Sequence, residues 1–143
     1  MKLSPDMEAE VAATMERYAE AYKKKDIARF SEIFSPDITG FGSGPDEIIG
    51  NHRDLIRQIK RDVTQADILD VAFTSKKIFG DGRVAWVTSE STMTFTADGS
   101  KKEKISGRST MVLRNTGNRW RIEQLHFSLP YGGQAEGQSF PTA

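Results

Sequence analysis

The stretch Arg119-Trp120-Arg121-Ile122-Glu123-Gln124-Leu125-His126-Phe127-Ser128 splits, at the period of two that a strand imposes, into two faces of different character. One face carries Trp120, Ile122, Gln124, His126 and Ser128. The other carries Arg119, Arg121, Glu123, Leu125 and Phe127, whose first three members want water. With the first face turned inward, Gln124 and His126 enter the interior beside Trp120 and Ile122, and buried polar groups need partners. Those partners are each other, Ser128, tyrosines of the first helix, or water and ligand in a cavity between helix and sheet.

Upstream of this strand, the period is two from Asp67 onward. Four extended segments are separated by Gly80-Asp81-Gly82, Ala97-Asp98-Gly99-Ser100 and Asn115-Thr116-Gly117-Asn118, all hairpin-turn compositions. Long segments joined by short turns pair as antiparallel neighbours. Both faces of Val84 to Phe95 are mixed, so the parity of Trp86 and Glu90 does not say which side looks inward. The first half has the period of a helix instead. Ser4, Pro5, Asp6 and Glu8 carry helix-start chemistry, and Met7, Val11, Met15, Tyr18 and Tyr22 form one stripe of a rod over residues 6 to 24. Lys23-Lys24-Lys25 closes its negative end. Asp26 starts a second helix, with Ile27, Phe30 and Phe34 on one face, that Ser35-Pro36 ends. After Asp37 to Phe41 comes the main loop, Gly42-Ser43-Gly44-Pro45-Asp46-Glu47. A third helix over roughly 51 to 64 rests on Leu55, Ile56, Ile59 and Val63, with Arg53, Arg57, Lys60 and Arg61 on its wet side. Helices first and strands second predict an α+β fold in which a curved antiparallel sheet wraps the helices. It forms one domain over residues 1–130, and residues 131–143 are an extended or mobile tail.

Composition narrows the function classes. The 143 residues carry 20 Lys+Arg against 20 Asp+Glu, which disfavours a nucleic-acid or membrane-surface binder. No cysteine is present, which excludes disulfides, thiol nucleophiles and Cys-based zinc sites. With two histidines far apart in sequence and no Walker loop or dinucleotide fingerprint, neither a metal nor another cofactor is expected. No signal peptide or spanning segment is evident, so a soluble, cytoplasmic protein is expected.

A more specific resemblance rests on several stretches together. They are Arg17-Tyr18 in the long helix, Phe34-Ser35-Pro36-Asp37, the loop from Gly42 to Glu47 ending at Gly50, Gly107 to Leu113, and Trp120 to Ser128. Over about residues 7 to 130 the chain resembles the SnoaL-like family of the nuclear-transport-factor-2-like superfamily, which also holds ketosteroid isomerase and scytalone dehydratase. The resemblance implies a cystatin-like, cone-shaped α+β barrel with a pocket at its open end, and a homodimer packed through the outer face of the sheet. In ketosteroid isomerase an Asp base moves a proton while a Tyr and a protonated Asp stabilise the oxyanion. Tyr18 matches that tyrosine. Ungapped spacing puts the base at Gly42, and the second acid at Ser109 or Thr110, so steroid isomerisation by that mechanism is disfavoured.

His126 is then the one ionisable side chain on the predicted inner face of the last strand. It reads either as a general base or as a histidine hydrogen-bonded into the core. The candidate ligand-binding set is Tyr18, Tyr22, Phe41, Trp86, Gln124 and His126, with His126 the candidate catalytic residue. Asp46 and Glu47 border the loop, where they contact ligand or cap the next turn. The expected function is binding of a small apolar organic ligand, with acid-base chemistry of the isomerase, dehydratase or cyclase type if the chain is an enzyme. The alternative is a non-catalytic dimerisation module with a vestigial pocket.

Overall fold

The computed structural model describes residues 2–99 and 101–141. Helix α1 (Pro5–Lys24) starts where Ser4 Oγ accepts the Met7 N–H at 3.1 Å. It ends at Lys25, whose left-handed backbone turns its N–H back to the carbonyls of Ala21 and Tyr22. Asp26 caps α2 (Ile27–Ile33) by accepting the Arg29 N–H at 3.1 Å. Strand β1 (Phe34–Phe41) follows without a gap. Phe34, assigned from sequence to the helix, is therefore the first strand residue, and Ser35 and Pro36 lie within the strand.

The Gly-rich loop turns back into a two-residue strand, β2 (Ile48–Ile49), which the sequence did not suggest. Asn51 caps α3 (His52–Gln65) by accepting the Asp54 N–H at 2.9 Å. Then come β3 (Asp67–Asp81), β4 (Val84–Thr96), β5 (Glu103–Thr116) and β6 (Arg119–Ser128). Gly82, Gly117 and Asn118 take the positive φ that the tight β3–β4 and β5–β6 turns require. Ser100, expected in the β4–β5 turn, lies outside the described residues. Residues 129–141 form neither helix nor strand.

The strand order is β2-β1-β6-β5-β4-β3, antiparallel throughout except where β1 runs parallel to β6. The sheet is curved and unclosed, with β2 and β3 at its edges, and its concave side holds the helices. Met15, Phe30, Phe34, Ile38, Leu55, Ile59, Met111, Leu113 and Ile122 are fully buried between the two layers. Trp120 is buried too, and its indole N–H donates to Glu10 Oε2 on α1 at 3.1 Å. Among the described residues, no helix is long and apolar enough to cross a membrane.

One irregularity decides what faces the core. Leu113 pairs with Ile122, but the next pair is Val112 with Gln124, so Glu123 is an extra residue in β6. A bulge of one residue reverses the inside-outside alternation beyond it. Trp120 and Ile122 point inward as the period-two reading has it, and after Glu123 the inward residues are Leu125 and Phe127. The inward orientation expected of Gln124 and His126 is therefore corrected: both are exposed on the outer face. On β4 the buried residues are Ala85, Val87, Ser89, Ser91 and Thr96, mostly small, and Trp86 and Glu90 face out.

Candidate functional site

Between α1, α3 and the concave side of the sheet lies a cavity of about 250 Å³. Its wall is mostly apolar or aromatic, including Leu55, Ile59, Phe73, Phe95, Met111 and Phe127. The acids, the two tyrosines and one amide collect at one side. Tyr18 and Tyr22 come from α1, Gln58 and Asp62 from α3, and Glu47 from the end of the Gly-rich loop.

Helical spacing explains why α3 delivers these groups. Leu55, Ile59 and Asp62 follow at steps of four and three, which puts Asp62 on the inward stripe, with Gln58 one turn before it. The Tyr22 hydroxyl donates to Asp62 Oδ2 at 2.9 Å, and Gln58 Nε2 donates to Asp62 Oδ1 at 2.9 Å and to Glu47 Oε1 at 2.7 Å. Arg61 Nη2 donates to Gln58 Oε1 at 3.0 Å. Because Arg only donates, this contact fixes which end of the Gln58 amide faces the carboxylates. Arg61 is itself gripped by Asp46, at 2.6 and 3.2 Å. The network thus runs from the surface inward: Asp46, Arg61, Gln58, the two carboxylates, then Tyr22.

The loop is built around Glu47. The Gly42 N–H donates to the Glu47 carbonyl at 2.9 Å, the Glu47 N–H donates to the Gly44 carbonyl at 3.1 Å, and the Gly44 N–H donates to Glu47 Oε2. A Cβ placed on Gly42 would stand 2.9 Å from Glu47 Cβ and 3.1 Å from Glu47 Oε1. The Glu47 side chain therefore occupies the space that a side chain at position 42 would take.

Burial pushes the Asp62 carboxyl above its ordinary 3.8, with Glu47 adding to the rise and the bonds from Tyr22 and Gln58 opposing it. Burial likewise holds the Tyr18 and Tyr22 hydroxyls well above the usual phenol value, so both stay protonated as donors. The rings of the two tyrosines meet edge-on at 5.2 Å, and Tyr18 also packs against Phe30, Phe34 and Phe73. On the sheet side of the cavity, Ser89 and Ser109 hydroxyls bond at 2.8 Å, while Ser91 Oγ is buried without a partner. Gly42 and Ser109 both line the cavity, and Thr110 is exposed.

Residues 11–132 match the SnoaL-like domain family. The chain belongs to that family. None of the curated proteins matches it closely enough in sequence to count as a relative. Solved structures resembling this SnoaL-like domain include a nuclear transport factor 2-like superfamily protein from Salmonella enterica, at 17% identity and a TM-score of 0.78 over 92% of this chain and 96% of that one. A protein from Streptomyces avermitilis, provisionally named a dehydratase of the NTF2-like family, aligns at 17% identity and a TM-score of 0.77 over 90% of this chain and all 100% of that one. A third, from Xanthomonas campestris and provisionally named a calcium/calmodulin-dependent protein kinase II association domain, aligns at 18% identity and a TM-score of 0.77 over 86% and 87% of the two chains. At these identities the likeness is one of fold.

Of the residues singled out from sequence, the structure brings Tyr18 and Tyr22 to the cavity of the SnoaL-like domain. Phe41, Trp86, Gln124 and His126 all lie exposed on its outer face, where the Phe41 and His126 rings are 5.6 Å apart. Asp62 and Gln58 were missed, although the spacing from Leu55 and Ile59 marks the inward stripe. Glu47, read from sequence as a loop residue that contacts ligand or caps the next turn, lines the cavity.

Proposed function

We propose that this SnoaL-like domain binds a small, mainly apolar organic molecule in the cavity, and that Asp62 moves a proton on it without a cofactor. One observation carries the reading: a carboxylate raised by burial and hydrogen-bonded to a tyrosine stands in a mostly apolar cavity. A general base works best when its pKa approaches the operating pH, and the direction of the Asp62 shift is toward that condition. Asp62 takes the proton from a carbon beside a carbonyl, and the C–H electron pair forms a C=C bond as the carbonyl π pair moves onto oxygen. Tyr18 donates to that oxygen. Return of the proton to another carbon completes an isomerisation; loss of a β-hydroxyl as water completes a dehydration.

The test follows deuterium incorporation beside the carbonyl of 4-phenylbutan-2-one in D₂O by NMR. The wild type is expected to accelerate the exchange, and Asp62→Asn to lose roughly a hundredfold of that acceleration. Wild-type exchange at the buffer rate, or exchange unaffected in Asp62→Asn, would refute the proton-transfer reading.

A second reading applies to the opposite face, where the exposed aromatics Phe41, Phe79 and Trp86 favour self-association with a second copy of the chain. The two readings use different surfaces, so the domain can serve both.

A further inference from the structure

We infer that the cavity selects an organic cation, an ammonium group on an apolar or aromatic body, which docks against Glu47. This inference rests on the cavity being the ligand site proposed above.

The first argument is a balance of donors and acceptors. Both oxygens of Glu47 accept hydrogen bonds, from Gln58 Nε2 and the Gly44 N–H, and both oxygens of Asp62 accept, from Gln58 Nε2 and Tyr22. That is the pattern of two ionised carboxylates, each with lone pairs to spare. The amide that bridges them has nothing left to give. Gln58 gives one amide hydrogen to each carboxylate, and an amide nitrogen has no third.

The second argument is charge. The cavity wall contains two acids, Glu47 and Asp62, and no Lys, Arg or His. The nearby Arg61 is committed to Asp46 and to the outer end of Gln58, so the network of Asp46, Arg61, Glu47 and Asp62 sums to −2. Two like charges bridged by one amide in a poorly hydrated site repel each other, and an entering cation relieves that cost. An ammonium ion brings three donors and one positive charge to the place where acceptors and negative charge are in excess.

The third argument is the rest of the wall. Tyr18, Tyr22, Phe73, Phe95 and Phe127 line the cavity, and aromatic faces attract cations as well as apolar bodies. Ser91, 6% exposed, is also among the lining residues, and its buried Oγ has no hydrogen-bond partner.

The test is calorimetric titration of the full chain at pH 7 with three probes of similar shape: 2-phenylethylamine, 2-phenylethanol and 3-phenylpropionate. The amine is expected to bind at least tenfold more tightly than the alcohol, with the acid not detected. Glu47→Gln should weaken the amine at least tenfold and change the alcohol by less than twofold. If Glu47→Gln does not fold, by circular dichroism, the wild-type ranking decides on its own. The alcohol or acid binding as tightly as the amine would overturn the cation inference and leave the cavity standing as a site for neutral or anionic ligands. Failure of all three probes to bind would overturn the inference together with the site reading beneath it.

Discussion

Two halves of one strand meet opposite surroundings. Before Glu123, β6 turns Trp120 and Ile122 into the core; after it, the inward residues are Leu125 and Phe127, and Gln124 and His126 go to the outer face. The cavity side is lined by aromatic and aliphatic groups with a few anchored acids. The outer side mixes exposed aromatics with polar side chains. A single inserted residue separates these outcomes, so the identity of the cavity wall depends on backbone register as much as on composition. Inserting one alanine after Glu123 breaks the comparison most severely, because a bulge that absorbs a single extra residue would then expose Leu125 and Phe127 and bury Gln124 and His126. Each large apolar side chain lost from the core costs about 1.5–3 kcal/mol, and burying unpaired polar groups adds to that. A loss of about 4 kcal/mol or more is expected in urea unfolding of the insertion variant, and wild-type stability would show that register after Glu123 does not set the cavity wall.

On the cavity side the next largest effect belongs to Tyr22→Phe, which leaves Asp62 Oδ2 without its donor while the carboxylate stays buried. About 1–3 kcal/mol should be lost in the same assay. Asp62→Asn reports on pH instead. Because the folded-state pKa of Asp62 lies above its ordinary 3.8, its favourable contribution is fully present below that value and is lost as pH rises through the raised one. The variant lacks this titration. Its stability relative to wild type should therefore climb across that acidic window and level off above it; a difference that is flat with pH would contradict the assigned shift. Smaller again is Gly42→Ala, whose new Cβ competes with the Glu47 side chain. Overpacking of this kind costs about 1–2 kcal/mol, and the displaced carboxylate should weaken 2-phenylethylamine binding more than 2-phenylethanol binding.

The helices, the four long strands and the two-layer arrangement were legible because caps, turns and hydrophobic period all agree locally. The face of β6 was not, because a bulge is a tertiary choice that strict alternation assumes away. Its trace is nevertheless in the sequence. Trp120, Ile122, Leu125 and Phe127 follow at steps of two, three and two, and the step of three is the inserted residue. Asp62 was hidden differently. It lies beside Arg61 on a helix rich in surface charge, and only its step of three from Ile59 places it inward. On β4 the buried side chains are mostly small and the largest one, Trp86, is outside, so hydrophobicity alone gives no direction. The parallel β1–β6 pair had no local signal at all, since it joins strands from opposite ends of the chain.

The outer face should give the smallest change in folding stability and the clearest change in association. Trp86 is 41% exposed and stands between Phe79 and Val112 in the cross-strand row, while His126 touches Phe41 near the other end of the sheet. Neither supports the core, so His126→Ala and Trp86→Ala should each alter the unfolding free energy by no more than about 0.5 kcal/mol in dilute monomeric protein. If the face binds a second copy, Trp86→Ala removes an aromatic anchor of the kind that dominates interface energetics, and sedimentation should show the dimer weakened at least tenfold. The cavity lies across the sheet and should keep its amine affinity within twofold. A Trp86→Ala variant that sediments like the wild type would remove the outer face from the association proposal, whereas one that also lost amine binding would show that the two sides of the sheet do not act independently.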